Sequence, residues 1–534
     1  MRQTSRVLFT VLVLLSAAAV LVNYRSWTDT VYHAASVGLK DHKTNPDVHQ
    51  YWTRAMAVLA ALAPDVTPQD IRGRLHGQSI TDTMTKSKLL QRIDISDETI
   101  EELKAKHSLY LGTMPHTLPY TPETSGIVFI GGGRFTWLAY ISIMGLRDTG
   151  SKLPVELVMP TWAAYEEELF LCKRVLPQLN ARCVVIPAIL GEEAMLRTKE
   201  RYKSYQFKSL ALVVSLFQNV LLLDSDNVPI DNPDFLFNSN VYQKHGLVTW
   251  PDFWQRTTHP LFYDIAGAKV NEVKRVRIDS FPITPLQLSP GLSKATSFHE
   301  FEGTMVNPLT ESGQLLVNKK THFKTLLLLL YYNVYGLRAY YKLLTTGEAG
   351  EGDKDTFLAA ALVVGDSYYQ VATNVRSLGF FHDTGFRGVA MMQRNPELDF
   401  EQFQLQVPKL SNPQLDLKQL EKAVEALDDE HFTANNDLPY LFMHCNFPKL
   451  EPDSLIKREF FNNKTLPWDW GMFVDYSIQN GPLKGETFDL RLWKNIHGAC
   501  GNNKFQSPNF EDKIPGTIGR VFATEAAGPW KTLW

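Results

Sequence analysis

Leu221-Leu222-Leu223-Asp224-Ser225-Asp226 decides how this 534-residue chain is read. The apolar run Val220 to Leu223 has the length and texture of a buried strand, and it ends directly in two carboxylates. In an extended segment, side chains two apart point the same way, so Asp224 and Asp226 can reach one cation. Hard oxygen ligands suit Mg²⁺ or Mn²⁺. A cation held there can bridge the two phosphates of a nucleotide-sugar and stabilise the departing diphosphate. Asp-x-Asp alone is a common pattern. The plainer alternative is a solvated turn, because Asn227 and Pro229 follow and both favour turns.

The stretches before it favour the first reading. Ile127 to Ile130 is a short apolar run followed by Gly131-Gly132-Gly133, and a helical pattern runs from Arg134 to about Arg147. Val155 to Met159 predicts a second strand, Glu166 to Val175 a helix, and Cys183 to Ile186 a third strand. Tyr205 to Phe217 predicts a helix with Phe207, Leu210, Ala211, Val214 and Leu216 on a broad apolar face, ahead of the fourth strand, Val220 to Leu223. Such alternation implies an α/β fold, a doubly wound parallel sheet with helices on both faces. In such sheets ligands bind beyond the carboxyl ends of the strands, which is where Asp224 and Asp226 fall. A run of four apolar residues and Asp-x-Asp also opens phosphatases of the haloacid dehalogenase class. There the motif lies on the first strand; here it lies near the fourth, and Asn227-Val228 stands where Gly-Thr is usual. Downstream of about 245 the periodicity weakens, and Leu326 to Leu330 reads as a buried core helix.

At the other end, Val7 to Val22 is apolar except for Thr10 and Ser16, with Arg2 and Arg6 before it. Sixteen residues of helix reach roughly 24 Å, enough for a thin early secretory membrane. The basic flank places residues 1–6 in the cytoplasm and the remainder in the lumen. A cleaved signal peptide is the alternative, with Ala17, Ala18 and Ala19 as the small-residue site. Asn463-Lys464-Thr465 is a glycosylation sequon. Four cysteines, Cys172, Cys183, Cys445 and Cys500, allow three pairings, and proximity favours Cys172 with Cys183. Residues 23–115 read as a stem and accessory helical region, with Ser96 starting a helix whose first turn is acidic; Pro115, Pro119 and Pro122 lead into a catalytic domain over 116–534. Composition is ordinary for a globular chain, with 44% apolar and 21% charged residues. Net charge is −3 with no run of five like charges, so a nucleic-acid partner is not expected.

Several blocks carry a more specific signal. Tyr205-Gln206-Phe207-Lys208-Ser209-Leu210-Ala211-Leu212 with Phe217 to Asn227 resembles the fungal Golgi α-mannosyltransferases that branch N-glycan outer chains, glycosyltransferase family seventy-one. Trp250 to Thr258, Glu311-Ser312-Gly313-Gln314, Gly352 to Phe357 and His444-Cys445-Asn446-Phe447-Pro448-Lys449 fit the same family. The resemblance implies a nucleotide-sugar transferase fold of GT-A type, GDP-mannose as donor, Mn²⁺, retention of the α configuration, and a mannan or N-glycan acceptor. It also implies a single-pass type II Golgi membrane protein. The linkage expected is α-1,2. The alternatives are α-1,3 and a non-catalytic member of a Golgi mannan-synthesis complex.

What the resemblance implies for residues follows from those blocks. Asp224 and Asp226 would hold the metal and contact the ribose, with His444 as third ligand or, instead, a satisfied core histidine. Lys449 would pair with the diphosphate. Asp353 and Asp355 recur where related transferases place acids on donor-sugar hydroxyls, although Lys354 stands between them, and a helix-capping role for Asp355 is open. Gly313 and Gln314 would lie beneath the donor sugar. Gly132, Gly133 and Arg134 would let the backbone approach the nucleotide, and Lys208 would reach the donor from its helix. No residue stands out as base or nucleophile, as expected where the leaving phosphate takes the acceptor proton, though Asp353 is a possible nucleophile.

Overall fold

In the computed structural model, residues 45–74, 83–203, 205–348, 350–382, 385–446, 449–450, 477–479 and 481–501 are described. The anchor expected at 7–22 and the sequon at Asn463 lie outside them. No helix among the described residues is long and apolar enough to cross a membrane.

The two-residue alternation of the apolar runs explains the layering. Strands β1 (Thr121–Ile130), β2 (Val155–Met159), β3 (Ala181–Val185) and β4 (Phe217–Leu223) are mutually parallel where they pair. Val128 of β1 and Val220 and Leu222 of β4 bury into one core. Ile127, Phe129, Leu221 and Leu223 bury into the other. Helices must therefore cover both faces. Helix α3 (Arg134–Asp148) packs in the second core, and α4 (Gln206–Val214), α5 (Phe323–Val334) and α6 (Thr356–Val364) in the first. Leu326 to Leu330 are each at most 1% exposed, so the leucine run is a core helix as expected.

Beyond residue 245 the chain completes the sheet. After the short strand β5 (Asn227–Pro229) come β6 (Leu247–Pro251), β7 (Thr310–Asn318) and β8 (Tyr369–Gln370), giving a seven-stranded order β8-β6-β7-β4-β1-β2-β3. β7 is antiparallel to both neighbours, with Gln314 opposite Leu223. A second sheet joins β5 to β9 (Arg376–His382), β10 (Gly385–Arg394) and β11 (Tyr440–His444), with His444 opposite Asn227. The strand following the two aspartates is thus shared with a distant hairpin. That sharing brings residue 444 to residue 226.

Two helices N-terminal to the sheet are joined to it. α1 (Pro46–Ala61) starts at an Asn45 cap with Pro46 in its first turn, and α2 (Asp97–Thr113) starts at Ser96, whose side chain accepts from Thr99 N. Tyr335 donates to Leu59 O at 2.7 Å, Tyr331 to Leu62 O at 3.1 Å, and Tyr110 to Leu327 O at 2.9 Å. These hydroxyls reach backbone carbonyls inside an otherwise apolar wall.

Two helices differ from expectation. The helix expected over 166–175 is broken: Thr161 caps a short helix, Trp162–Glu167, and Leu171–Val175 forms a separate wide turn closed by Pro177. That turn is bonded to β3 through a Cys172–Cys183 disulfide with Cα atoms 5.4 Å apart. The helix expected to Phe217 stops at Val214, because Ser215 turns extended and its Oγ accepts from Phe217 N.

Candidate active site

The carboxyl ends of β1 and β4 meet at Ser225, whose carbonyl accepts from Ser142 on α3 at 2.7 Å and whose hydroxyl donates to Ile130 O. Asp224 and Asp226, on either side, are then held by two other strands. Asp224 N donates to Gly313 O of β7 at 2.8 Å, and Cys445 N donates to Asp226 O at 2.9 Å. The outcome is a cluster in which ligand atoms of Asp224, Asp226 and His444 all lie within 4.8 Å of one another. His444 Nε2 stands 3.3 Å from Asp226 and 3.9 Å from Asp224.

Glu311, the first residue of the Glu-Ser-Gly-Gln segment, holds a role that the sequence did not assign to it. Its carboxylate accepts from His444 Nδ1 at 3.1 Å, Gly313 N at 2.6 Å and Gln314 Nε2 at 2.6 Å. A carboxylate can only accept here, so Nδ1 carries a proton and Nε2 is the atom turned to the aspartates. The signal that could have found it is the Glu-Ser-Gly-Gln turn itself. Gly313 has no room for a side chain: a Cβ there would meet His444 Nδ1 at 2.5 Å and Glu311 at 2.8 Å. Gln314 is also held by Asn227 Nδ2 at 2.6 Å, which ties β7 to the strand after the aspartates.

Two lysines complete the charge. Lys208, buried on α4, reaches Asp224 at 2.8 Å, Ser312 Oγ at 2.9 Å and Asp353 at 3.5 Å. Lys449 pairs with Asp226. Burial alone would lower His444, but Asp226 and Glu311 outweigh it and push it up to about 10. Burial would raise Asp226, yet His444 and Lys449 hold it below the usual carboxylate range. Burial pushes Asp353 up to about 6 against the pull of Lys208. Charge of one sign thus compensates charge of the other in a water-poor cleft, an arrangement expected of functional sites more than of cores.

The other predicted residues divide. Gly132 and Gly133 adopt φ of +100° and +55°, where a Cβ is strained, and lead into α3 with Arg134 as its first residue. Only Gly131 separates them from Ile130, which Ser225 touches. Asp353 joins the cluster through Lys208. Asp355 does not. It is fully buried, accepts from Arg256 at 2.7 Å and from Thr310 N at 3.1 Å, and makes no side-chain cap on α6. Its expected roles, a donor-sugar contact or a helix cap, give way to a buried ion pair, because in the turn ahead of α6 Asp355 meets Arg256 while Asp353 meets Lys208. A cavity of about 600 Å³ opens beyond β8, lined by residues including Lys244, Arg277, Tyr368 and Phe403. None of the predicted site residues lines it.

The donor set fits a divalent cation: two carboxylates and an imidazole oriented by a further carboxylate. Residues 124–395, just over half of the chain, match the mannosyltransferase family model Mannosyl_trans3. Alpha-1,2-mannosyltransferase MNN23 of Candida albicans is 44% identical, covering 83% of this chain and 78% of the relative. MNN22 of the same organism is 44% identical over 72% of this chain and 64% of the relative. MNN2 of Saccharomyces cerevisiae is 39% identical over 72% and 66%. The chain thus spans between 64% and 78% of the length of these relatives. Among solved structures, mouse xyloside xylosyltransferase 1 overlaps 46% of this chain and 85% of its own at 14% identity and a TM-score of 0.28. The family match and the relatives together place this chain in the fungal α-1,2-mannosyltransferases, a family of glycosyltransferases.

Proposed function

We propose that the protein is a retaining mannosyltransferase that moves mannose from GDP-mannose to a mannose of α-mannan or of an N-glycan outer chain, forming an α-1,2 link. The observation that carries this is the convergence of Asp224, Asp226 and His444 at the carboxyl end of the sheet in a chain of this family. Those three residues would hold Mn²⁺, which would supply Lewis-acid stabilisation of charge on the donor diphosphate. Lys208 and Lys449 place positive charge on the two sides of the cluster, where phosphate oxygens gain charge as the bond to the sugar breaks. Asp353, paired through Oδ2 with Lys208 at 3.5 Å, adds a carboxylate beside the cluster that can accept from a sugar hydroxyl. In the transfer, the bond from mannose C1 to the phosphate oxygen breaks and a bond from C1 to the acceptor oxygen forms on the same face. The acceptor proton passes to the departing diphosphate. A retired, non-catalytic subunit would have no need of this fully assembled cluster.

The rest of the reading is a type II Golgi membrane protein: cytoplasmic residues 1–6, an anchor over 7–22, and a lumenal GT-A-type catalytic domain over 116–534. The experiment uses full-length protein in detergent with GDP-mannose, Mn²⁺ and α-mannobiose. A trimannoside cleaved by an α-1,2-specific mannosidase is expected. Asp226→Ala should lose about 100- to 1,000-fold in turnover. A product resistant to that mannosidase would replace the linkage. Equal turnover by Asp226→Ala would sink the site.

A further inference from the structure

Tyr205 is half exposed, at 50%, while Gln206 and Lys208, which follow it, are buried. It stands one turn before Lys208 on the same helical segment, and its carbonyl accepts from Lys208 N. Its ring lies with one edge along Gly352: a Cβ there would meet ring atoms at 3.0, 3.3 and 3.4 Å. Gly352 immediately precedes Asp353, which lies 3.5 Å from Lys208, which in turn lies 2.8 Å from Asp224. Moving outward from the carboxylates, one therefore meets Lys208 and Asp353, then Gly352, then a half-exposed aromatic side chain.

We propose that Tyr205 is the stacking platform for the acceptor sugar, a pyranose ring of an α-mannoside. The inference rests on the transferase reading above. A hexopyranose has a C–H-rich face that packs on an aromatic ring, and burying an exposed ring against it is favourable. Among the described exposed aromatic residues, which include Phe135, Phe170, Phe235 and Phe386, Tyr205 is the one tied to the cluster by both sequence and contact. The choice of acceptor over donor follows from exposure. Lys208 and Asp353, next to Asp224, are buried, whereas an acceptor that continues as a chain must leave into solvent, and a half-exposed ring allows that. Gly352 is the second part of the device: without a side chain it lets the edge of the ring approach the backbone beside Asp353.

The test compares wild type with Tyr205→Ala, Tyr205→Phe, Tyr205→Trp and Gly352→Ala in the full chain, using α-mannobiose as acceptor. Tyr205→Ala should raise acceptor KM about 10-fold while GDP-mannose KM stays within about twofold. Phe and Trp should keep acceptor KM near wild type, because the ring and not the hydroxyl carries the contact. Gly352→Ala, which must displace the ring by a few tenths of an ångström, should raise acceptor KM in the same direction. Direct binding of α-mannobiose, read by saturation-transfer NMR, should weaken in Tyr205→Ala alongside an unchanged circular dichroism spectrum. That binding readout separates the two ideas: ring-dependent mannobiose binding without turnover supports the platform and sinks the transferase reading. An unchanged acceptor KM in Tyr205→Ala, or a Phe variant as impaired as Ala, overturns the platform.

Discussion

Two buried histidines behave in opposite ways. His107, 1% exposed on α2, donates or accepts at Tyr332 OH at 2.8 Å and stacks on that ring with centroids 5.6 Å apart. Burial is what acts on it, and its pKa drops to about 4. His444, 8% exposed, sits among Asp226, Asp224 and Glu311, which overcome the same burial and push it up to about 10. The aromatic wall around Tyr331, Tyr332, Tyr335 and Tyr340 joins the N-terminal helices to the sheet and keeps its histidine neutral. The cleft keeps its groups charged, and buried charge seldom adds stability over an apolar core. The difference separates a structural region from a candidate site: burial alone neutralises, whereas fixed counter-charges create a place for a cation or a phosphate.

The sharpest way to break this contrast lies within three residues. Asp355 belongs with the structural region although it is an acid near the site, because it pairs with Arg256 and both are fully buried. Asp355→Ala leaves that guanidinium uncompensated and should cost about 3–5 kcal/mol of stability, read as a lowered urea midpoint. Asp353→Asn should keep the midpoint, because burial already pushes that carboxyl up to about 6, and should instead lower mannose transfer. Loss of transfer at full stability in Asp355→Ala would put Asp355 back in the site.

The wall can be probed through pH. His107 has a folded pKa of about 4, below its unfolded value near 6.5. As pH falls below 6.5 the unfolded chain takes up a proton that the folded chain refuses, so stability is lost between about pH 6.5 and 4. The gap corresponds to about 3 kcal/mol. His107→Phe keeps the stacking and removes the proton, so its urea midpoint should fall less than that of wild type over this window. Parallel pH profiles for the two proteins would show that the wall does not hold a neutral histidine.

How much of this could be read beforehand depends on the range of the interaction. Val155 to Met159 was legible to the residue, as was the Ser96 cap, because an apolar run or a cap is a local signal. Asp224 and Asp226 at a strand end were legible for the same reason. The antiparallel insertion of β7 between β4 and β6 was not, since register between strands some ninety residues apart leaves no mark in periodicity. Asp353 and Asp355 copied the spacing of Asp224 and Asp226, but spacing aligns two side chains only in extended backbone, and these lie in the turn ahead of a helix. The Arg256 partner of Asp355 depends on a tertiary contact for which residue type gave no hint. His444 and Lys449 came from resemblance rather than from periodicity, and the structure brings both to Asp226.

Glu311 gives the finest test of the contrast, because it makes one histidine differ from the other. Its carboxylate fixes Nδ1–H of His444 and leaves Nε2 facing Asp226, 3.3 Å away. His107 has a tyrosine hydroxyl where His444 has this carboxylate. Partners that orient a metal-binding histidine typically contribute 10- to 100-fold in metal affinity. Glu311→Gln keeps the volume and removes the charge, so the Kd for Mn²⁺ in calorimetric titration should rise by about 10- to 100-fold. Turnover should then recover most of its wild-type value when Mn²⁺ is raised to saturation, since the aspartates and His444 remain. A variant that binds Mn²⁺ normally but stays inactive at saturation would mean that Glu311 acts on the sugar and not through His444. The three donors already on its carboxylate, Gly313 N, Gln314 Nε2 and His444 Nδ1, argue against that outcome, because a carboxylate so fully engaged is a poor nucleophile.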